Sequence, residues 1–498
     1  MTIVTAPSQG PRSRYVALVP YGVAAAIFIA IRFATNGTLG FHIDELYYME
    51  SGRNLTFGYV DYPPIVPLLS RLETAVLGVS PWALRVLPAL VGAVNVLLSA
   101  AYVRKLGGSL RLQMLGLLVG LTAPLLLGTF LFQTVVFDQL AWMVSLYLFL
   151  SLVVDRKPHT WILLGLTLGL GLEVKYLILP LILGMVIATF ATPSLRADLR
   201  TRYPWIGAAL MLLIWLPNIV WQVANDFPTV RYIFNHRGDI QSGGGVIDFV
   251  VLFLVLLFLL TPLWVAGFIS LFRRRELRAV GIACAVPIVV YLFVGKEYYP
   301  APTIPIVMAA GLIALSHVTR PRLRTVLTYA VIVASLVDFV ALSKITIPTT
   351  PADRMHATGL DSLDSDYAST VGWVSITQQM TRIFGALPAS ERATTVIVSI
   401  DYGVTGALQI FGNSKVLPPS YSPQLSDFYY LPQHVAATDA LMVGYAPADV
   451  AFMCTSAEVV AHLTIPYHVV NLESDSPVTF CALSAPLPSL WARLKEFS

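Results

Sequence analysis

The sequence predicts a polytopic α-helical membrane protein of about eleven transmembrane helices, followed by a C-terminal extracytoplasmic α/β domain. Three observations predict it. Of 498 residues, 56% are hydrophobic and only 12% are charged, about half the charged share of a soluble domain. The deficit lies in residues 1–343, where the runs 112–137, 176–195, 203–224 and 249–272 carry no charge; each is near or above the ~18–20 residues that span a hydrocarbon core. From residue 344 onward charged and polar residues return, over about 150 residues, an ordinary domain size.

Apolar runs and their breaks place the spans near 15–34, 83–103, 112–129, 138–154, 160–173, 176–192, 204–222, 247–271, 279–295, 301–318 and 325–342. The first follows a short polar tail with Arg12 and Arg14 and reads as a retained helix, being longer than the apolar part of a signal peptide. Lys and Arg bias sets the orientation. With the N-terminus cytoplasmic, seventeen Lys and Arg residues fall in inner segments, against six outside (Arg53, Arg71, Lys175, Arg231, Arg237 and Lys296). The first large loop, 35–82, and everything after residue 343 then lie outside the cytoplasm of an inner (plasma) membrane.

In the C-terminal region TTVIVSI (394–400) and ALMVGYA (440–446) are short, apolar and bounded by turn residues, as strands are. DYGVTGALQIFG (401–412) between them reads as a turn followed by a short helix. Of three cysteines, Cys284 sits in an apolar run and behaves as a small hydrophobe. Cys454 and Cys481 can pair if their region faces an oxidising compartment.

The segment FHIDELYYMESGRNLTFGYVDYPP (41–64) is the first outer loop's chemical signature. Acids beside a bilayer are costly to place, and they default to functional hypotheses. Asp44, ringed by His42, Tyr47 and Tyr48, is a candidate general base on an acceptor hydroxyl, and Glu45 beside it is a second catalytic candidate. The plainer reading is an acid favouring a helix dipole. His42 and Asp44 share a face if the segment is extended, but two ligands do not make a metal site. No cofactor is expected, and a divalent cation has no ligand set to support it. Tyr59, Asp61 and Tyr62 belong to GYVDYPPIVPLL (58–69), whose prolines lead into an amphipathic helix suited to the headgroup plane, or else form a structural turn.

Asp138 stands at the outer end of the fourth span, either as a catalytic candidate that approaches Asp44 and helps orient it or the sugar, or as a solvated helix start. Lys175, close to Glu173 in GLGLEVKYLILP, is either neutralised by that acid or a phosphate ligand, since an ammonium binds phosphate as a point charge. Lys296, with Tyr298 and Tyr299 in GKEYYPAP, forms a wall for an anionic headgroup, or the lysine simply snorkels. Arg231 and Arg237 are alternative phosphate ligands with bidentate geometry.

Together DELYY with GYVDYPP, GLGLEVKY, LPNIVWQ with DFPT, GKEYYPAPTIP and DYGVTGALQIFG resemble membrane glycosyltransferases of the GT-C fold. The resemblance is to the broad protein O-mannosyltransferase-like group, which includes lipid A aminoarabinose transferases and lipopolysaccharide galacturonosyltransferases. It extends over nearly the whole chain and rests on the order and spacing of the motifs. It implies transfer of a sugar from a polyprenyl-phosphate donor to a cell-envelope lipid, glycan or protein on the outer face, with inversion. Asp44 takes the position of the catalytic acid, Lys296, Tyr298 and Tyr299 fall in the donor-phosphate segment, and Asp138 and Lys175 are carried over with them. No nucleic-acid partner is expected. Two rival functions are a transporter or flippase of lipid-linked sugars, and a non-enzymatic envelope assembly protein.

Overall fold

The computed structural model describes residues 11–121, 130–235 and 245–495. All eleven predicted spans overlap helices. Among the described residues seven helices, Leu18–Thr35, Pro81–Lys105, Thr134–Asp155, Tyr203–Ala224, Val246–Arg273, Arg275–Val294 and Pro321–Thr346, have the length and hydropathy to cross a membrane. The other four spans fall on shorter apolar helices, Leu110–Gly120, Thr160–Leu172, Tyr176–Ala191 and Ala301–Ser316. The protein is a multi-pass membrane protein, and eleven crossings stay the sequence's expectation.

Small residues let these helices approach closely, as in membranes generally. Helix Thr160–Leu172 packs along Tyr203–Ala224; a Cβ on Gly165 would stand 2.1 Å from the Gly207 carbonyl oxygen.

The first long connection folds into two helices, α1 (Ile43–Arg53) and α2 (Ile65–Leu77). His42 caps α1: its Nδ1 accepts the Asp44 backbone N–H, while the Glu45 carboxylate accepts the His42 backbone N–H at 2.8 Å, a capping box that satisfies two donors at the helix start. Helix α2 buries Val66, Ser70 and Glu73 while Leu68, Leu72 and Val76 are exposed, the amphipathic pattern expected of an interfacial helix.

The helix Pro321–Thr346 runs past the predicted 343/344 boundary. Beyond it lie the helices Trp373–Ala386 and Tyr402–Phe411 and a five-stranded sheet. Its strands are β1 (Thr395–Ser399), β2 (Ser420–Tyr421), β3 (Asp439–Val443), β4 (Cys454–His462) and β5 (Pro477–Leu483), in the order β2-β1-β3-β5-β4. β1 pairs in parallel with β2 and β3; β5 is antiparallel to β3 and β4. A disulfide joins Cys454 to Cys481 across β4 and β5, Cα to Cα 5.4 Å. One buried cluster combines Leu46, Tyr47 and Tyr48 of α1 with Trp373, Ile376, Val404, Ala407 and Leu441 of the C-terminal region. A Cβ on Gly406 would meet the Leu46 side chain at 2.9 Å, so helix Tyr402–Phe411 lies directly against α1.

Candidate active site

A cavity of about 710 Å³ opens beside the N-terminus of α1. Its wall combines Asp44, Tyr48, Asp61, Tyr62, Asp138, Lys175, Lys296, Tyr298 and Tyr299 with Tyr402 from the C-terminal region. Nine of the fifteen residues singled out from the sequence thus meet in one space, although Asp44 and Lys296 lie far apart in the chain.

Asp44 sits at the start of α1 with its carboxylate partly open to the cavity. Oδ1 accepts the Tyr402 hydroxyl at 2.9 Å and Oδ2 accepts the Gln133 amide at 3.2 Å. The Tyr402 ring is fixed in turn by stacking on Tyr47, centroids 4.3 Å apart and planes 17° apart. Two donors from distant parts of the chain therefore aim one carboxylate.

Glu45 has a different place. It is fully buried, accepts two hydrogen bonds from Arg85 at 2.9 and 2.8 Å and one from the Phe132 backbone N–H at 2.8 Å, and does not line the cavity. Arg85 also donates to the carbonyls of Asn36, Leu39 and Gly40. The acidic pair therefore divides: Asp44 faces the cavity, and Glu45 anchors the loop that carries it. His42 is buried too, its Nε2 3.7 Å from Asp366, which also borders the cavity.

Asp61 accepts the Tyr47 hydroxyl at 2.9 Å. Burial pushes its carboxyl up to about 7, with Asp44 adding to the rise. Lys175 donates to the Thr134 hydroxyl at 3.0 Å; burial lowers its proton affinity against the pull of Asp138, Asp44 and Asp61. Tyr47 and Tyr59 stand behind the wall, Tyr59 donating to the Ser51 carbonyl at 3.0 Å. Arg231 is exposed and donates to the Asn225 carbonyl at 3.0 Å, outside the cavity lining, because the helix Pro228–Asn235 turns Tyr232 inward instead. Arg237 lies outside the described residues. Among the described residues no group of three or more His, Cys, Asp or Glu side chains is gathered to hold a metal ion.

Sequence reasoning missed Tyr402, Gln133, Asp366 and Arg85. Tyr402 falls inside DYGVTGALQIFG, so the motif was visible and its role was not. Asp366 belongs to the acid-rich LDSLDSDY run (360–367), which hydropathy treats as loop.

The description "Dolichyl-phosphate-mannose-protein mannosyltransferase" fits residues 61–221 of the chain. The lipid A galacturonosyltransferase RgtD of Rhizobium johnstonii is 26% identical over 194 residues, 39% of this chain and 40% of that relative. The match thus spans less than half the length of that curated relative. Crystal structures of ArnT from Cupriavidus metallidurans are similar over almost the full length. The one bound to undecaprenyl phosphate is 16% identical with TM-score 0.60, covering 94% of this chain and 99% of that one. The apo structure is 14% identical with TM-score 0.61, covering 98% of this chain and 100% of that one. Helices, cavity and C-terminal sheet in this chain therefore make up the GT-C fold that its sequence predicts.

Proposed function

We propose that the protein is a glycosyltransferase that moves a sugar from a polyprenyl-phosphate donor to a cell-envelope acceptor on the outer face of the membrane. The observation that carries this reading is the single cavity, in which an oriented carboxylate, Asp44, shares walls with two lysines. The family matched over residues 61–221 is described by a lipid-phosphate sugar donor, and one ArnT structure holds undecaprenyl phosphate; both support the donor class.

In this reading the acceptor hydroxyl attacks the anomeric carbon as the carbon–oxygen bond to phosphate breaks. Its proton passes to Asp44, and the polyprenyl phosphate leaves with the bonding electron pair. One displacement inverts the anomeric centre. Lys175 and Lys296 offset the charge growing on the phosphate, the kind of electrostatic assistance that usually contributes most. Asp61 and Asp138 complete the polar wall against which the sugar lies.

The donor half is tested by binding of undecaprenyl phosphate to the purified protein. A charge-assisted contact is worth about 1.5–3 kcal/mol, so Lys175→Ala and Lys296→Ala should each weaken binding by about tenfold to a hundredfold, with Arg231→Ala unchanged. Unaltered affinity in both lysine variants contradicts the assignment. Donor moved across the bilayer with no sugar released would instead favour a flippase.

A further inference from the structure

The charged cavity is not the only polar concavity. A second cleft of about 360 Å³ lies between the loop after α1, the end of helix Tyr203–Ala224 and the segment Ser426–Tyr430. Its lining is of another kind. Trp221, Tyr429, Tyr430 and Tyr59 contribute aromatic surface, Asn54, Asn225, Thr56 and Ser426 contribute neutral polar groups, and no charged residue takes part.

The aromatic wall is built. The Trp221 ring packs on Gly58, where a Cβ would come within 2.4 Å of it. Tyr429 meets the same indole edge-on, centroids 6.2 Å apart and planes at 73°. The polar groups are set with it: the side-chain amide nitrogens of Asn225 and Asn54 donate to the carbonyls of Trp221 and Glu50 at 2.8 and 3.2 Å. Among the described residues neither Oδ1 accepts a hydrogen bond of its own, so each can take one from a ligand hydroxyl.

We propose that this cleft binds a neutral sugar unit of the acceptor, so that the acceptor is a glycan or glycan-bearing molecule. The inference rests on the glycosyltransferase reading for the word acceptor, and on the cleft alone for the word sugar. A pyranose presents an apolar C–H face and a rim of hydroxyls; rings plus fixed neutral acceptors match both, in the usual pattern of small-molecule sites. A hydrocarbon tail has no use for the acceptors, and the Arg231 guanidinium at the rim is engaged with the Asn225 carbonyl rather than lining the cleft. The position suits a second subsite. Ser426 in the cleft wall donates its backbone N–H to the Tyr47 hydroxyl at 3.0 Å, and that hydroxyl donates to Asp61 in the donor cavity at 2.9 Å. One hydrogen-bonded layer separates the two spaces.

The test is saturation-transfer NMR on the full chain in detergent, with methyl glycosides of hexoses and N-acetylhexosamines as probes and undecaprenyl phosphate added to saturation. At least one glycoside should give a saturable signal that survives undecaprenyl phosphate and Asp44→Asn. Its affinity should fall about tenfold or more, roughly 1.4 kcal/mol, in Tyr429→Ala and in Asn225→Ala, each checked for a wild-type melting curve. Because Tyr429 is 39% exposed, its truncation leaves the core intact. No saturable signal, equal affinity in both cleft variants, or displacement by undecaprenyl phosphate overturns the proposal. The two readings fail separately: a cleft that binds sugar in a protein that never transfers it refutes only the reaction.

Discussion

Asp44 is useful to a reaction only if its carboxylate points in one direction, and two single hydrogen bonds set that direction. Tyr402→Phe removes the hydroxyl on Oδ1 and keeps the ring stacked on Tyr47. General-base help is worth about 10²–10⁴-fold and depends on how the carboxylate is aimed, so kcat should fall about tenfold or more in a variant that still folds with at most a small drop in melting temperature, and unchanged kcat would make the contact ornamental. A second residue-scale consequence concerns Glu50, buried in α1 beside Asp427. Burial raises the Glu50 carboxyl above the ordinary carboxylate range, so the folded state binds its proton more tightly than the unfolded state. The stabilisation is complete below the ordinary carboxyl range and is lost as pH rises through the raised one. The melting temperature should therefore decline between about pH 5 and 8, and Glu50→Gln should flatten that decline; thermal unfolding across the range checks it. At this scale the sequence revealed acids and lysines near span ends, because charge in an apolar setting stands out. It did not reveal Tyr402, which meets Asp44 across 358 positions, nor that Glu45 belongs to Arg85. Tertiary packing decides both.

The helices and loops show why the site keeps its shape. Glu45 and Arg85 tie the start of α1, the carbonyls of residues 36–40 and the Phe132 backbone into one buried network. Removing one member of a buried ion pair strands the other, at about 3–5 kcal/mol. Arg85→Met should therefore lower the melting temperature steeply, and Glu45→Gln combined with it should restore part of the loss. Equal melting of Arg85→Met and wild type would refute the anchoring role. Each expected span overlaps a helix among the described residues because a long apolar run satisfies its backbone in lipid only by coiling, and the Pro-rich entry to α2 was equally plain. β1 and β3 were legible as compact apolar runs. β4 and β5 were not: β4 is largely exposed, so its CTSAEVVAH carries no buried pattern, and its pairing with β5 is a long-range event.

Across the whole molecule, the first loop and the C-terminal region act as one body over the membrane helices. Leu46 and Tyr47 share a core with Trp373, Val404 and Leu441, and Tyr402 reaches from the far region to Asp44. The composition divides the chain near residue 343, yet the cavity draws on both sides of that line; a composition profile records where polar residues lie and says nothing of which segments touch. The same arrangement makes the central claim testable in one measurement: release of radiolabelled sugar from polyprenyl-phosphate donors in proteoliposomes, wild type beside Asp44→Asn. General-base help is worth about 10²–10⁴-fold, so turnover should fall by that factor in a variant that melts like wild type and still binds undecaprenyl phosphate. Equal turnover in the two proteins would contradict the assignment of Asp44 as the base.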